Sequence, residues 1–300
     1  MGSMNAQVLE RPAVYHANPR ALIVMIQGLA PSLTPAESSI ANVLLATRGV
    51  SEEGLRLAHV AVLADVSEAA VVKFAKRLGF SGFRELRDVL VAYHRLHGVD
   101  LHEELSLADD AGTVVRKVFS TAIQALNDTQ AIFDMAAFER AAAALGDAST
   151  RLLFGVGGSA TIARDFEHKL LRIGIASRAH DDPHLMAMSA SLLQPADVVV
   201  SISHSGATAA VVEASELARE RGAAVIAVTN VAESKLARIA DALLLSASQG
   251  SPITGENAAS RIAQLTLLDA LFVRVAQRHG GDVLRNLEST MGSVARKRLR

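Results

Sequence analysis

A chain of 300 residues, 50% hydrophobic and 20% charged, has the apolar content to build two ordinary domain cores. It contains no cysteine, which excludes a disulfide framework, thiol chemistry and any cysteine-based zinc site. A formal net charge of -1 excludes a uniformly basic nucleic-acid binder, so any DNA contact has to come from a local patch.

No apolar run approaches a membrane span and the N-terminus lacks a signal-peptide pattern, so the expected compartment is the cytoplasm, with no membrane partner. Met1-Gly-Ser-Met4 reads as an expression scar before a natural start at Met4, and residues 1–18 as tag and flexible N-terminus. From Pro19 the pattern predicts a helix through Leu29, with Leu22, Ile23, Ile26 and Leu29 on one face. Thr34 as N-cap and Pro35 at the first helical position start another, running to about Thr47 and ending at Gly49.

A short helix from Leu55 to Ala64 then leads through Asp65-Val66 to Ser67, an N-cap candidate. The helix from Ser67 places Val71, Phe74, Ala75 and Leu78 on a core face, and Gly79 terminates it. Glu68, Ala69, Lys73, Lys76 and Arg77 fall largely on the other side. Ser81 caps a further helix carrying Arg84 and Arg87. Between residues 67 and 95 six basic residues face three acidic ones, a local excess of three positive charges. Two helices joined by a short turn, the second with a basic outer face, make a helix-turn-helix arrangement. Early residues of the second helix would reach base edges, and lysines and arginines would hold phosphates. A plain helical bundle with a solvated face is the alternative. The DNA-contacting candidates are Ser67, Glu68, Ala69, Lys73, Lys76, Arg77 and Arg84.

Residues 97–112 are polar and acidic and read as a linker between a domain at 19–96 and one at 113–290. Helical patterns near 113–128 and 135–145 precede strands near 151–155, 175–179, 197–202, 224–229 and 242–245. Helices near 159–172, 183–193, 207–221, 234–240 and 256–279 alternate with them. Near-continuous apolar strands between helices indicate a parallel sheet covered on both faces. Residues 291–300, ending Arg296-Lys-Arg-Leu-Arg300, read as a basic tail.

Two turns carry the chemistry. Arg151-Leu-Leu-Phe-Gly-Val-Gly-Gly-Ser159 and Asp197-Val-Val-Val-Ser-Ile-Ser203-His-Ser205-Gly-Ala-Thr208 each run an apolar strand into glycines and hydroxyls that open a helix. Glycines let the backbone approach an anion and a helix N-terminus adds partial positive charge, while Ser159, Ser203, Ser205 and Thr208 add hydroxyl donors suited to a phosphate or polyol. Ser and Thr after a strand are also common as mere N-caps. The first turn lacks the last glycine of a dinucleotide fingerprint, and neither has a P-loop ending. His204, between two site serines, is expected to line the site. His180-Asp181-Asp182-Pro183-His184 reads as an Asx-Pro turn starting a helix rather than a metal site, with His184 or Asp182 able to touch a ligand.

Gly155-Val-Gly-Gly-Ser159 followed by Ser203-His-Ser-Gly-Ala-Thr208 resembles the two phosphosugar-binding turns of the SIS (sugar isomerase) domain, and the similarity continues over residues 130–280. The stretch from Val66 to Leu86 is similar to the N-terminal domain of RpiR-type bacterial transcription regulators, in which a helix-turn-helix precedes an SIS domain. Ala70 stands where that family usually has Thr, and Lys73 where it usually has Arg. Lysine cannot make the bidentate fork, so Lys73 suits a phosphate better than a base. SIS isomerases use a Glu base on the helix that here reads Ser260-Arg-Ile-Ala-Gln264. Gln264 aligns with it, and an amide accepts no proton, although Glu256 or Glu213 are carboxylates able to substitute.

The expected fold is therefore an all-α helix-turn-helix bundle followed by an α/β SIS domain with a five-stranded parallel sheet flanked by helices. The expected function is a DNA-binding regulator of sugar or carbon metabolism genes controlled by a phosphorylated sugar, not an enzyme. A phosphosugar isomerase or lyase with a helical extension, or an SIS module without DNA binding, are the alternatives. Ligand-site candidates are Gly157, Ser159, Ser203, His204, Ser205, Thr208, His184 and Glu256; no catalytic residue, metal or cofactor is expected. The resemblance further implies a homo-oligomer, dimer or tetramer, on double-stranded operator DNA.

Overall fold

The computed structural model describes residues 15–16, 18–46, 55–97, 105–248, 258–295 and 297. The chain divides into two compact units. The first comprises residues 1–104 with 130–132, and the second 105–129 with 133–300. Among the described residues no helix is long and apolar enough to cross a membrane.

The first unit is all helical: α1 (Pro19–Leu29), a 3-10 turn at Ala30–Ser32, α2 (Pro35–Ala46), α3 (Leu57–Leu63), α4 (Glu68–Arg77) and α5 (Phe83–His97). Its core is built on fully buried Leu22, Ile40, Leu44, Phe74, Leu86 and Leu90. Thr34 and Glu37 form a reciprocal capping box at the start of α2, with the Thr34 N–H and hydroxyl donating to Glu37 Oε2 at 3.0 and 2.8 Å. Ahead of α5, the Ser81 N–H and hydroxyl likewise donate to a first-turn carboxylate, Glu85 Oε2, at 2.8 and 2.9 Å. Between α3 and α4 the backbone reverses at Asp65 (φ +53°), and the Val66 N–H closes onto the Ala61 carbonyl at 3.0 Å. Asp tolerates that left-handed conformation better than most residues.

The second unit opens with α6 (Ala111–Ala131) and α7 (Met135–Asp147). It continues with β1 (Arg151–Gly155), α8 (Gly158–Arg172), β2 (Arg178–His180), α9 (Pro183–Ala190), β3 (Val198–Ile202), α10 (Ala209–Glu220), β4 (Ala224–Thr229), α11 (Lys235–Ile239) and β5 (Ala242–Leu245). It closes with α12 (Ala258–His279) and α13 (Gly281–Ala295). All five strands are parallel, in the order β2-β1-β3-β4-β5. Alternate strand residues serve opposite cores. Leu153, Val200, Ile202, Ile226 and Val228 pack with α7, α8 and α12, whereas Phe154, Val199, Val225 and Ala227 pack with α9, α10 and α11.

Three features depart from the sequence expectation. Strand β2 forms at residues 178–180 rather than 175–179, because Gly174 (φ +81°) ends α8 and the Ile175 N–H returns to the Leu170 carbonyl. Ile175 is therefore the buried apolar residue of a helix C-cap, not the start of a strand. Helix α9 stops at Ala190. Helix α13 is new, and residues 291–295, expected in the tail, are its last turns; Asn286 Nδ2 donates to the Ile173 carbonyl at 3.0 Å and closes the end of α8. The expected ending of α2 at Gly49 and residues 98–104 of the expected linker lie outside the described residues, and the last two linker residues, 111–112, belong to α6.

Arg151, the first residue of β1, is buried and caps α7: Nε donates to the Leu145 carbonyl at 2.7 Å and Nη2 to the Gly146 carbonyl at 2.8 Å. Both carbonyls belong to the last turn, where a cation also opposes the helix dipole. Arg151→Met keeps the packing of the stem but strands the Leu145 carbonyl and leaves that of Gly146 to His279 Nε2, 3.1 Å away. Urea unfolding is expected to show a loss of about 1–3 kcal/mol. An unchanged midpoint would mean the cap contributes nothing.

Candidate functional site

Strands β1 and β3 are neighbours, yet the chain leaves β1 into α8 on one face of the sheet and β3 into α10 on the other. Such a reversal opens a crevice at the carboxyl ends of the two strands, where ligands of open α/β sheets bind. Both turns of the sequence analysis lie there.

Glycine geometry shapes the first turn. A Cβ at Gly155 would lie 2.7 Å from the Ser159 carbonyl oxygen, so only glycine lets α8 start this close to its strand. Gly157 adopts φ +61° and ψ -124° as N-cap of α8, a conformation open essentially to glycine. In the second turn Gly206 (φ +60°) passes so near α11 that a Cβ would meet Ser234 Oγ at 2.1 Å.

The helix starts differ in a telling way. α7, α9 and α11 are each capped by a side chain, from Asp134, Asp182 and Ser234. α8 and α10, the two that flank the crevice, have no side-chain cap. Thr208 stands at the N-cap of α10, but its hydroxyl pairs with Ser203 Oγ at 3.0 Å instead of a helix N–H. Ser203 is buried, Ser159 and Thr208 half-buried, and Gly157 and Ser205 exposed.

His204 is anchored on both sides. Its carbonyl accepts from the Asn230 N–H and Thr229 Oγ1, each at 3.0 Å, and its Nδ1 lies 3.0 Å from Ser260 Oγ on α12. The neighbours of Asn230 orient its amide: Nδ2 faces the Ser246 carbonyl at 3.2 Å and Ser260 Oγ at 2.8 Å, while Oδ1 accepts from the Ser248 N–H at 3.2 Å. Gln264, buried, completes this web by donating from Nε2 to Ser246 Oγ at 3.1 Å. The α12 position aligned with an isomerase base thus holds an amide engaged in a hydroxyl network. Glu213 is exposed on α10, and Glu256 lies outside the described residues.

His184 is exposed in the first turn of α9, at the carboxyl end of β2 and so on the same edge of the sheet. His180 is not a site residue: it is buried, with Nε2 3.1 Å from Ser189 Oγ, and burial followed by the Arg178 charge pushes its pKa down. The sequence reading missed Arg261. This exposed arginine lies in the first turn of α12, with Nη1 3.4 Å from where a Cβ on Gly158 would sit. A base in the first turn of a helix opposes the macrodipole, and that was the available signal.

In the helical unit, Ser67 caps α4 by accepting from the Ala70 N–H at 3.2 Å. Glu68, Ala69, Lys73, Lys76 and, on α5, Arg84 are exposed with it. Arg77 is corrected. Its Nη1 donates to Glu37 Oε2 at 2.6 Å and its Nη2 to Ser32 Oγ at 3.2 Å, so it ties α4 to α2 rather than pointing outward. Burial alone would raise the Glu37 carboxyl, but bonds from Thr34 and Arg77 hold it below the usual carboxylate range.

A helix-turn-helix unit joined to a parallel-sheet unit with an anion-suited crevice defines a two-part regulator architecture. Comparisons with known proteins agree. Residues 21–94 match the model of the helix-turn-helix domain of the rpiR family, and residues 144–274 match the SIS domain. The HTH-type transcriptional regulator RpiR of Escherichia coli K12 is 42% identical over 270 residues, 88% of this chain and 91% of that one. An uncharacterized HTH-type regulator of Caldanaerobacter subterraneus is 34% identical over 278 residues, 93% and 98% of the two chains. Vibrio vulnificus NanR, solved in complex with ManNAc-6P, shares the fold at TM-score 0.59 and 24% identity, covering 93% of this chain and all of that one. The chain belongs to the RpiR family of helix-turn-helix transcriptional regulators, and it is a regulator rather than an enzyme.

Two outcomes separate the roles of the α4 bases. Arg77→Ala is expected to lower the melting temperature, whereas Lys76→Ala leaves it within error and flattens the salt dependence of DNA binding by about one phosphate. Glu37, lowered in the fold, contributes stability above the unfolded carboxylate pKa that is lost as pH falls through its folded value. Glu37→Gln should therefore melt lower at neutral pH and lose less stability on acidification to pH ~3. Identical pH profiles for the variant and the parent would rule this out.

Proposed function

We propose that the chain regulates sugar or carbon metabolism genes in response to a phosphorylated sugar seated at the carboxyl ends of β1 and β3. The observation that carries this reading is the pair of side-chain-uncapped helix starts on that edge. Their first-turn N–H groups and dipoles favour an anion, and Gly157, Ser159, Ser203, Ser205 and Thr208 surround them with donors. Arg261 supplies a compensating cation beside Gly158. The sugar then lies toward His184 and His204; Glu256, close before α12 in sequence, is the further residue to test as a contact. Amino-sugar phosphates deserve the first trial, since the structurally similar NanR was crystallised with one.

The DNA contact falls to the exposed outer face of α4. Ser67, Glu68 and Ala69 in its first turn address base edges, and Lys73, Lys76 and Arg84 hold phosphates. Two copies are needed to read a roughly palindromic operator with half-sites about one helical turn or a multiple apart. Such a regulator works in the cytoplasm, where its operator is. Sugar phosphate binding biases operator affinity by ~1–3 kcal/mol, about 5- to 150-fold.

A thermal-shift panel of hexose, pentose, amino-sugar and acid-sugar phosphates, each beside its unphosphorylated sugar, tests the site. Stabilisation is expected from one phosphorylated class and from no free sugar. Ser203→Ala combined with Ser205→Ala should abolish that shift while operator binding persists. A full shift in the double variant would refute the site.

A further inference from the structure

The first turn of α4 carries a charge that the rest of its outer face does not explain. Val71, Phe74 and Ala75 are buried on one side of this helix, and Glu68, Ala69, Lys73 and Lys76 are exposed. Three of those four suit a polyanion, two by an ammonium group and one by a bare methyl. Glu68 does not. Duplex DNA carries one negative charge per ~1.7 Å of its axis, so a carboxylate brought into the groove is repelled unless a donor meets it there.

The other described acids of the helical unit are accounted for by their own chain. Glu37 accepts from Arg77, Glu85 accepts from Ser81, and Asp88 pairs with Arg87. Asp65 occupies the turn before α4, where a φ of +53° suits an Asp. Glu68 makes no hydrogen bond or ion pair among the described residues. It does not complete a capping box either. With Ser67 as N-cap the partner position is 70, an alanine, and Ser67 Oγ accepts from its N–H at 3.2 Å.

The chemistry of the major groove then singles out one base. The donors on its floor are the N4 amine of cytosine and the N6 amine of adenine. Beside adenine N6 lies N7, an acceptor that repels a carboxylate, whereas beside cytosine N4 lies an apolar C5–H. Ala69 offers only a methyl group and reads no hydrogen-bond pattern, and the Ser67 oxygen is engaged in the cap. Polar readout in this turn therefore falls to Glu68. We propose that Glu68 is a specificity-determining residue that accepts from the N4 amine of a cytosine in the operator. The inference rests on the reading above that the outer face of α4 enters the major groove, and it adds the identity of one base pair.

Selection from a randomised duplex library at one fixed salt concentration, run with the full-length parent, Glu68→Ala and Lys76→Ala, tests it. The parent is expected to fix a C·G pair at a position that Glu68→Ala leaves unconstrained, with the preferences elsewhere retained. On the parent's selected sequence, exchanging that pair for T·A sets the thymine O4 acceptor where the amine stood. The exchange should weaken the parent by about 5- to 150-fold and Glu68→Ala by little. A Glu68→Ala variant that keeps every base preference, whether it binds as before or more tightly, overturns the proposal; the carboxylate then serves only the dipole of α4. Lys76→Ala separates that failure from a failure of the underlying reading. If it weakens all sequences alike, α4 faces DNA and only the cytosine assignment falls. If it too leaves binding unchanged, the placement of α4 in the groove falls with it.

Discussion

Strands β1 and β3 lie side by side, but each hands the chain to a helix on a different face of the sheet. The first turns of α8 and α10 consequently open onto one edge, and the backbone N–H groups there have no side chain to satisfy them. Everything else in the second unit supports that arrangement. Gly155 lets α8 begin against its strand, Gly206 lets the β3 loop pass beneath α11, and Ser203 with Thr208 ties the second loop across its own base. Helix starts without a side-chain cap favour an anion, which is the occupant proposed for this edge.

The side of the crevice bounded by α12 is organised by a hydrogen-bond web in which an amide stands where an isomerase of similar fold would carry its Glu. Proton transfer between adjacent carbons needs a group that accepts and returns a proton near neutral pH. The α12 position aligned with an isomerase's Glu holds Gln264, an amide engaged with Ser246, and the web beyond it runs through Asn230 and Ser260 to the His204 imidazole. Such a network, once satisfied, fixes geometry. It holds the His204 loop against α12 and β4, so a ligand that displaces the loop must work against bonds on both sides. That is a suitable property for a sensor, in which binding has to favour one of two discrete arrangements.

Much of this was legible in the sequence, and the exceptions have physical reasons. β1, β3, β4 and β5 announce themselves because continuous apolar runs end in glycine and hydroxyl turns. β2 was misplaced because Ile175 is apolar for a different purpose, covering the end of α8. α13 was missed because it buries little: Val283 is its buried side chain, and Asn286 and Thr290 hold it through the Ile173 and Arg172 carbonyls at the end of α8. Arg77 looked like its neighbour Lys76 because sequence spacing shows the face of a helix but not the partner forty residues away. Thr208 looked like a cap by residue type, and the direction of its hydroxyl toward Ser203 is a tertiary fact. Arg261 could have been flagged from the helix dipole, yet its nearness to Gly158 depends on how α12 crosses α8.

The central claim is that an anion at the β1 and β3 loop tips changes how tightly α4 holds DNA. Operator affinity should be measured at one fixed salt concentration with and without the sugar phosphate that stabilises the protein, and again with its unphosphorylated counterpart. The account predicts a change of about 5- to 150-fold with the phosphorylated sugar and none with the free sugar. Equal affinity under all three conditions would contradict it.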